Sequence, residues 1–368
     1  MRAGGVILSL LIVGGCLGGI RVFGTLKDGG VFATVETDHD LSCTQVLGVP
    51  GPEDLVIDRA SGVIFVSSHD RRAEGAFAGA ENNVRGGIYA YDLARPSEGF
   101  VELTALEEGE AGPSDFRPHG LSLYTAPDGK KTLMVINHPF GAESTVEIYD
   151  VIDPAGEAAP GDFPSLTYRV TVTDHSFISP NDLVAVDALR FYATNDHGSR
   201  HPTARMLEDY LRLNMGSVVY FDGETFSTVL DGLTYANGIE VNAAGDEIFV
   251  AETTDNRLSA LSVAPDTGHL SLVKEWDLEF GVDNIDRAPD GSLWIGGHPK
   301  ILDFAAHAEN PRVMSPGRVV RIDPASTEDP KRIFQTDGDI ISGLSVAAEY
   351  AGKTIMGQVF GDGLLVCE

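Results

Sequence analysis

The alternation of apolar and polar positions along the chain predicts short β-strands joined by glycine-containing turns. LVIDRASGVIFVSS (55–68), LSLYTAPDGKKTLMVIN (121–137) and IEVNAAGDEIFVAE (239–252) each show an outgoing strand, a tight turn and a returning strand. Further strand patterns are GGIYAYDL (86–93), STVEIYDV (144–151), GSVVYFDG (216–223) and GRVVRIDP (317–324). Only residues 204–213 carry a helical pattern, too little for the crossover helices of a doubly wound α/β sheet.

A repeat lies beneath these elements. Six units open with two polar or small residues followed by an aliphatic one: Glu53-Asp54-Leu55, His119-Gly120-Leu121, Asn181-Asp182-Leu183, Asn237-Gly238-Ile239, Asp283-Asn284-Ile285 and Ser342-Gly343-Leu344. Six units between residues 43 and 368 leave each about 54 residues, the size of a four-stranded blade in a radial array. The expected fold is therefore all-β, a six-bladed β-propeller over 43–368 with a central channel.

The N-terminus reads differently. Arg2 precedes a charge-free apolar run, residues 4–20, that is 17 residues long and is followed by Arg21. Residues 1–22 thus resemble a secretory signal or a signal anchor, with 23–42 as a linking arm. Val13-Gly14-Gly15-Cys16 also resembles a lipoprotein processing box, so cleavage, retention as a membrane anchor and lipidation all stay open. The expectation is an exported protein, periplasmic or extracellular. There a Cys43–Cys367 disulfide could join the two ends of the body, although two free thiols fit the same spacing.

Composition narrows the partners. With 26 Lys+Arg against 55 Asp+Glu the net charge is −29, and a nucleic-acid partner is not expected because phosphate binding needs a basic face. Three scattered cysteines do not make a structural zinc site. Were the first strand of each unit to line the channel, Glu53, Asp54, Asn181, Asp182, Asn237, Asp283 and Asn284 would converge. Taken singly, such residues are turn formers. Recurring at equivalent stations, they form a carboxylate and amide oxygen set without thiolate, the donor chemistry of Ca²⁺. His69, His138, His197 and His298 recur where the second strand of a unit ends, and His119 stands in the opening ring itself. A single loop histidine is commonly a solvated or capping residue, but four at one station suggest a pocket rim. There His119 could deprotonate water while the metal polarises a carbonyl.

PEDLVID (52–58), FRPHGLSL (116–123), VINHPFGAESTVEIYD (135–150), PNDLVAV (180–186), FYATNDH (191–197), YANGIEV (235–241), VDNI (282–285) and GGHP (296–299) together resemble the serum paraoxonase/arylesterase family, from about Cys43 to Cys367. The resemblance implies a six-bladed propeller closed by a disulfide between Cys43 and Cys367, with two Ca²⁺ ions in the channel and hydrolysis of lactones and aryl esters. It implies Glu53, Asn181, Asn237, Asp283 and Asn284 as ligands of a catalytic ion. Asp54, Asp182 and the Leu121 carbonyl would hold a structural one. It further implies His119 as base with His138 assisting, His197 and His298 lining the pocket, and an N-terminal segment that can be retained as an anchor. Residues 70–87 and 198–216 depart from the family pattern, which affects substrate choice. Met206, Leu207, Tyr210, Leu211 and Leu213 approximate one apolar helical face, which could meet a membrane through 201–215, roof the pocket or pack on the propeller.

Two other readings stay open. In a gluconolactonase-like or phosphotriesterase-like calcium propeller, a carboxylate such as Asp283 could attack the substrate directly. A non-enzymatic exported propeller would instead bind a partner on its top face with calcium purely structural.

Overall fold

Strands buried on both faces need apolar residues at successive positions, and this chain supplies them: Leu133, Met134, Val135 and Ile136 are all fully buried. Leu133 and Val135 pack toward the preceding sheet, whereas Met134 and Ile136 pack toward the following one. A computed structural model, which describes residues 24–74, 84–106, 111–156 and 159–368, shows the architecture that results. Six four-stranded antiparallel sheets are arranged radially, a six-bladed β-propeller. Six hydrophobic clusters each join one blade to the next, so the core is a ring of inter-blade layers.

The innermost strands of the blades are Pro52–Asp58, Pro118–Thr125, Pro180–Ala185, Ala236–Val241, Gly281–Arg287 and Leu344–Tyr350. In all six, the pairing with the second strand shifts register within the first few residues. A bulge there leaves one residue without a ladder partner and turns its side chain out of the sheet, in this case toward the channel. Five bulges coincide with the repeat stations read from the sequence. The sixth does not: the irregularity lies between Leu344 and Val346, so the equivalent of Glu53 is Ser345, three residues beyond Ser342. The small-polar, glycine, aliphatic pattern at 342–344 imitates a station, but Gly343 belongs to the turn before the strand, with φ +78°.

The sixth blade is built from both ends of the chain. Leu344–Tyr350, Lys353–Gln358 and Asp362–Cys367 are completed by Cys43–Pro50 as the outer strand, paired with Cys43 opposite Cys367. A disulfide joins these two cysteines across a separation of 324 residues, closing the ring. Such a bond persists in an oxidising compartment, which supports export. Among the described residues no helix is long and apolar enough to cross a membrane. The 4–20 run, with its lipoprotein-like Cys16, lies outside the described residues.

Two helices flank one mouth of the channel, Pro202–Leu211 and Ile301–Glu309. The first lies two residues upstream of the helical pattern read at 204–213. Pro202 fits the first turn, where its missing N–H costs nothing, and Arg212 ends the helix in the left-handed region at φ +49°. The second was not foreseen, because its nine residues (ILDFAAHAE) follow directly on the fifth blade's second strand and its apolar stripe is short. Of the 202–211 stripe, Leu207 and Leu211 are about half exposed, so simple packing onto the propeller does not describe it.

Candidate metal centre and active site

The bulges set two rings of residues around the axis. Glu53, His119, Asn181, Asn237, Asp283 and Ser345 form the first ring. One residue further on, Asp54, Gly120, Asp182, Gly238, Asn284 and Val346 form the second. Two second-ring positions are glycine for a steric reason. A Cβ on Gly120 would sit 2.5 Å from Asp182 Cα, and one on Gly238 would sit 2.4 Å from the Asp283 carbonyl oxygen. At those two blades the neighbouring inner strand passes too close for any side chain.

A cavity of about 680 Å³ at the helix-flanked mouth is lined by Glu53, His119, Asn181, Asn237 and Asp283, together with His197 and His298. Met206 and Tyr210 line it from above, so part of the 202–211 stripe does roof the pocket. Asp54, Leu121 and Asp182 open onto a second cavity of about 650 Å³ toward the opposite mouth. Asn284 stands directly against the first ring: its Nδ2 donates to the Glu53 carbonyl (3.2 Å) and to Glu53 Oε1 (3.0 Å). His138 stands behind His119 in a smaller side cavity, along with His69.

The amide orientations in the first ring are dictated by their neighbours. Asn181 Nδ2 donates to the acceptor-only carboxylate of Asp196 (3.3 Å). Asn237 Nδ2 donates to Thr253 Oγ1 (3.0 Å), whose own proton goes to the Val282 carbonyl (2.7 Å). Each nitrogen is thereby held, and each oxygen is turned away from it. Asn181 Oδ1, Asn237 Oδ1 and Glu53 Oε2 are buried oxygens without a hydrogen-bond partner. Three orphaned acceptors around one cavity, one of them a carboxylate, fit a hard cation. Among the described residues no three His, Cys, Asp or Glu side chains gather into a metal cluster of their own, so the fit depends on these amide oxygens.

The second ring is electrostatically crowded. Asp54 accepts Leu55 N–H (2.8 Å) and, across the blade boundary, Leu121 N–H (2.9 Å). Asp182 repeats the device with Leu183 N–H (2.7 Å) and Ile239 N–H (2.9 Å). Burial pushes both carboxyls well above the usual range, and like charges add to this: Asp182 and Glu53 act on Asp54, Glu53 and Glu240 on Asp182. Buried carboxylates so placed call for a counter-charge.

The histidines divide by partner. His119 Nδ1 lies 3.0 Å from His138 Nε2, and His138 Nδ1 lies 2.9 Å from Ser144 Oγ. Burial, reinforced by His119, holds His138 down at about 3, so it is neutral at ordinary pH. With His138 Nδ1–H donating to Ser144, its Nε2 accepts from His119 Nδ1–H, which leaves His119 Nε2 with a free lone pair. That nitrogen is 3.4 Å from Glu53 Oε2. For Glu53, burial is outweighed by the charge and hydrogen bond that His119 supplies when it carries a proton on Nε2, and by Arg71 and the Asn284 amide, so that its carboxyl falls to about 2. His298 Nε2 meets Asp283 Oδ2 at 2.8 Å and stacks on Phe304 at 3.8 Å between ring centroids. His197 joins Asp196 (2.7 Å) and Asp209 (2.9 Å); these two carboxylates overcome its burial and raise it to about 9.

Several residues at the site were not foreseen. Tyr235 lines the main cavity with φ +55°, a conformation rare for a bulky side chain. Asn137 and Asn195 use their Oδ1 to receive backbone N–H groups from the loops that deliver the inner strands: Arg117 (2.8 Å) in one blade, Ile178 and Ser179 (both 3.0 Å) in the next. Arg71 stands on the cavity wall with Nη2 3.8 Å from Glu53 Oε2. In sequence it is one arginine of a pair in a loop; only the fold puts it beside the ring.

Comparison with known proteins decides the relationship. The arylesterase family model matches residues 61–368. The chain belongs to the arylesterase family, a family of ester hydrolases. It is similar to human serum paraoxonase/arylesterase 1, 32% identical over 335 residues that make up 89% of this chain and 88% of the relative. It is likewise similar to rat serum paraoxonase/arylesterase 2, 30% identical over 99% of both chains. Among solved structures it resembles a gluconolactonase from Xanthomonas campestris, with TM-score 0.52, 13% identity and 89% of each chain covered. Another is regucalcin, a calcium-binding protein from Agrobacterium tumefaciens, with TM-score 0.51, 12% identity and 89% and 93% covered. These two likenesses concern the fold.

Proposed function

We propose that this arylesterase-family hydrolase is calcium-dependent and that it opens lactones and cleaves aryl esters in the 680 Å³ cavity. The observation that carries the reading is the trio of orphaned buried oxygens, Glu53 Oε2, Asn181 Oδ1 and Asn237 Oδ1, on the wall of the cavity that also holds His119. These three, with Asp283 and Asn284, would hold a catalytic Ca²⁺, and Asn284 Nδ2 also positions the Glu53 carboxylate. Asp54, Asp182 and the Leu121 carbonyl would hold a second, structural ion. When bound, the catalytic ion supplies the positive charge that polarises the scissile carbonyl and stabilises the oxyanion.

The chain's own residues do the rest. His119 Nε2 takes the proton of the attacking water, and neutral His138 receives the Nδ1–H hydrogen bond that fixes the tautomer. Ser144 completes the relay from behind. His298 keeps Asp283 oriented, and Thr253 does the same for Asn237. Met206 and Tyr210 cover the cavity and limit the water around the substrate. Collapse of the tetrahedral species breaks the acyl–oxygen bond. Ring opening of a lactone leaves a hydroxy acid, and His119 returns its proton to the departing alkoxide.

The test is a panel of γ- and δ-lactones and phenyl esters assayed with a chelator and after calcium add-back. Loss and saturable recovery of turnover are expected. Full turnover in the chelator would reject the calcium dependence, and inactivity toward the whole panel would favour the partner-binding propeller. Incorporation of ¹⁸O from water into Asp283 during one turnover would instead indicate direct attack by that carboxylate.

A further inference from the structure

We propose that Arg71 and Arg205 form an anion-binding subsite beside the reaction centre, and that the preferred substrate is a lactone or ester carrying a free carboxylate. This rests on the hydrolase reading for where the scissile carbonyl sits.

The chain as a whole is acidic, with net charge −29, yet a side cavity of about 410 Å³ next to His119 is lined by three arginines, Arg71, Arg117 and Arg205. Arg117 already gives its Nε to Asp115 Oδ1 (2.8 Å), so it adds to the field without being needed as a receptor. The other two are held by main-chain oxygens. Arg205 donates Nε to the Ser199 carbonyl (2.7 Å) and Nη2 to the Ile178 carbonyl (3.2 Å), and among the described residues it makes no ion pair. Arg71 donates Nη1 to the Gly51 carbonyl at 3.4 Å, and Glu53 Oε2, 3.8 Å from its Nη2, is its one ion-pair contact among the described residues. Backbone carbonyls fix a guanidinium in place without neutralising it: Arg205 keeps its full charge, Arg71 shares part of its charge with Glu53, and the remaining N–H groups of the two match the two oxygens of a carboxylate.

Position ties this pair to the reaction. Arg71, His119 and Arg205 line both the side cavity and the main cavity, so they form the wall between the two. A substrate with its carbonyl before His119 can lay a pendant group against that wall. Asp196, which shares the wall, is engaged by His197 Nδ1 through Oδ1 (2.7 Å) and by Asn181 Nδ2 through Oδ2 (3.3 Å). Its negative charge limits the subsite to a singly charged group, which favours a carboxylate over a phosphate dianion.

The experiment uses the calcium-loaded protein and a matched pair of substrates, γ-butyrolactone and the same ring bearing a carboxylate on its alkoxy carbon. In the unmodified protein kcat/KM is expected to favour the carboxylate-bearing ring. The ratio should fall about 10- to 100-fold in Arg71→Met and in Arg205→Met, with part of it kept in Arg205→Lys. Butyrate binding, followed by titration, should weaken in both Met variants. An unchanged ratio together with unchanged butyrate affinity overturns the subsite, and tighter binding of inorganic phosphate than of butyrate overturns the carboxylate assignment. If neither lactone is turned over, the hydrolase reading fails and the butyrate titration alone decides the subsite.

Discussion

In the first ring Glu53, Asn181 and Asn237 each have one polar atom occupied and another left over, and this is where single substitutions separate roles. His119→Gln removes the base but no proposed ligand. Turnover should fall about 10²- to 10⁴-fold with bound calcium unchanged, as measured by lactone kinetics beside metal analysis. Asn237→Ala removes an orphaned oxygen, so its calcium affinity should fall at least tenfold, roughly the loss of one of the few protein ligands, on a chelator-competition titration. His197 makes a prediction about pH. Its value is raised from 6.5 to about 9 by Asp196 and Asp209, despite the opposing effect of burial. A raised histidine contributes stability that is fully present below about 6.5 and is lost as pH rises through about 9. His197→Gln should therefore cost about 1–3 kcal/mol at pH 6, discounted for the half-exposed Asp209, and little at pH 10 in denaturant unfolding.

At the scale of the element, the working unit is a strand with a bulge at its start. The sequence shows the strand, because burial on both faces leaves a continuous apolar run, and it shows five of the six stations, because polar pairs interrupt that run at matched places. It does not show the bulge itself, which is a matter of pairing register, and so Ser342 was read where Ser345 stands. Orientation is also invisible in sequence: that Asn181 and Asn237 turn oxygen rather than nitrogen inward depends on Asp196 and Thr253, residues 15 and 16 positions away. Arg71 was missed because its significance comes from a neighbour in another strand, not from its own context. The close approach at Gly120 offers a direct check on this scale. Gly120→Ala places a Cβ 2.5 Å from Asp182 Cα, so the inner strand must shift, costing about 1–3 kcal/mol and weakening the structural calcium site. Gly232→Ala tests backbone strain alone, since φ is +80° there and nothing lies within 4 Å.

For the whole molecule, the ring must be closed for the stations to face one another. Closure depends on the outer strand Cys43–Pro50 and on the disulfide to Cys367. Constraining so long a loop is worth about 2–5 kcal/mol, so Cys43→Ser should lower the unfolding free energy by that amount and make calcium retention more sensitive to denaturant. The family relationship and the geometry bear on different links of the argument. Membership makes the chain an ester hydrolase, while the orphaned oxygens bear on what the channel holds, and the Arg71–Arg205 pair on which substrates it favours.

The most direct test of the central claim is a crystal structure of the protein in saturating calcium. An ion on the axis, contacted by Glu53 Oε2, Asn181 Oδ1 and Asn237 Oδ1, is the expected result. Finding those three oxygens hydrogen-bonded to protein donors, with calcium bound elsewhere or not at all, would contradict it.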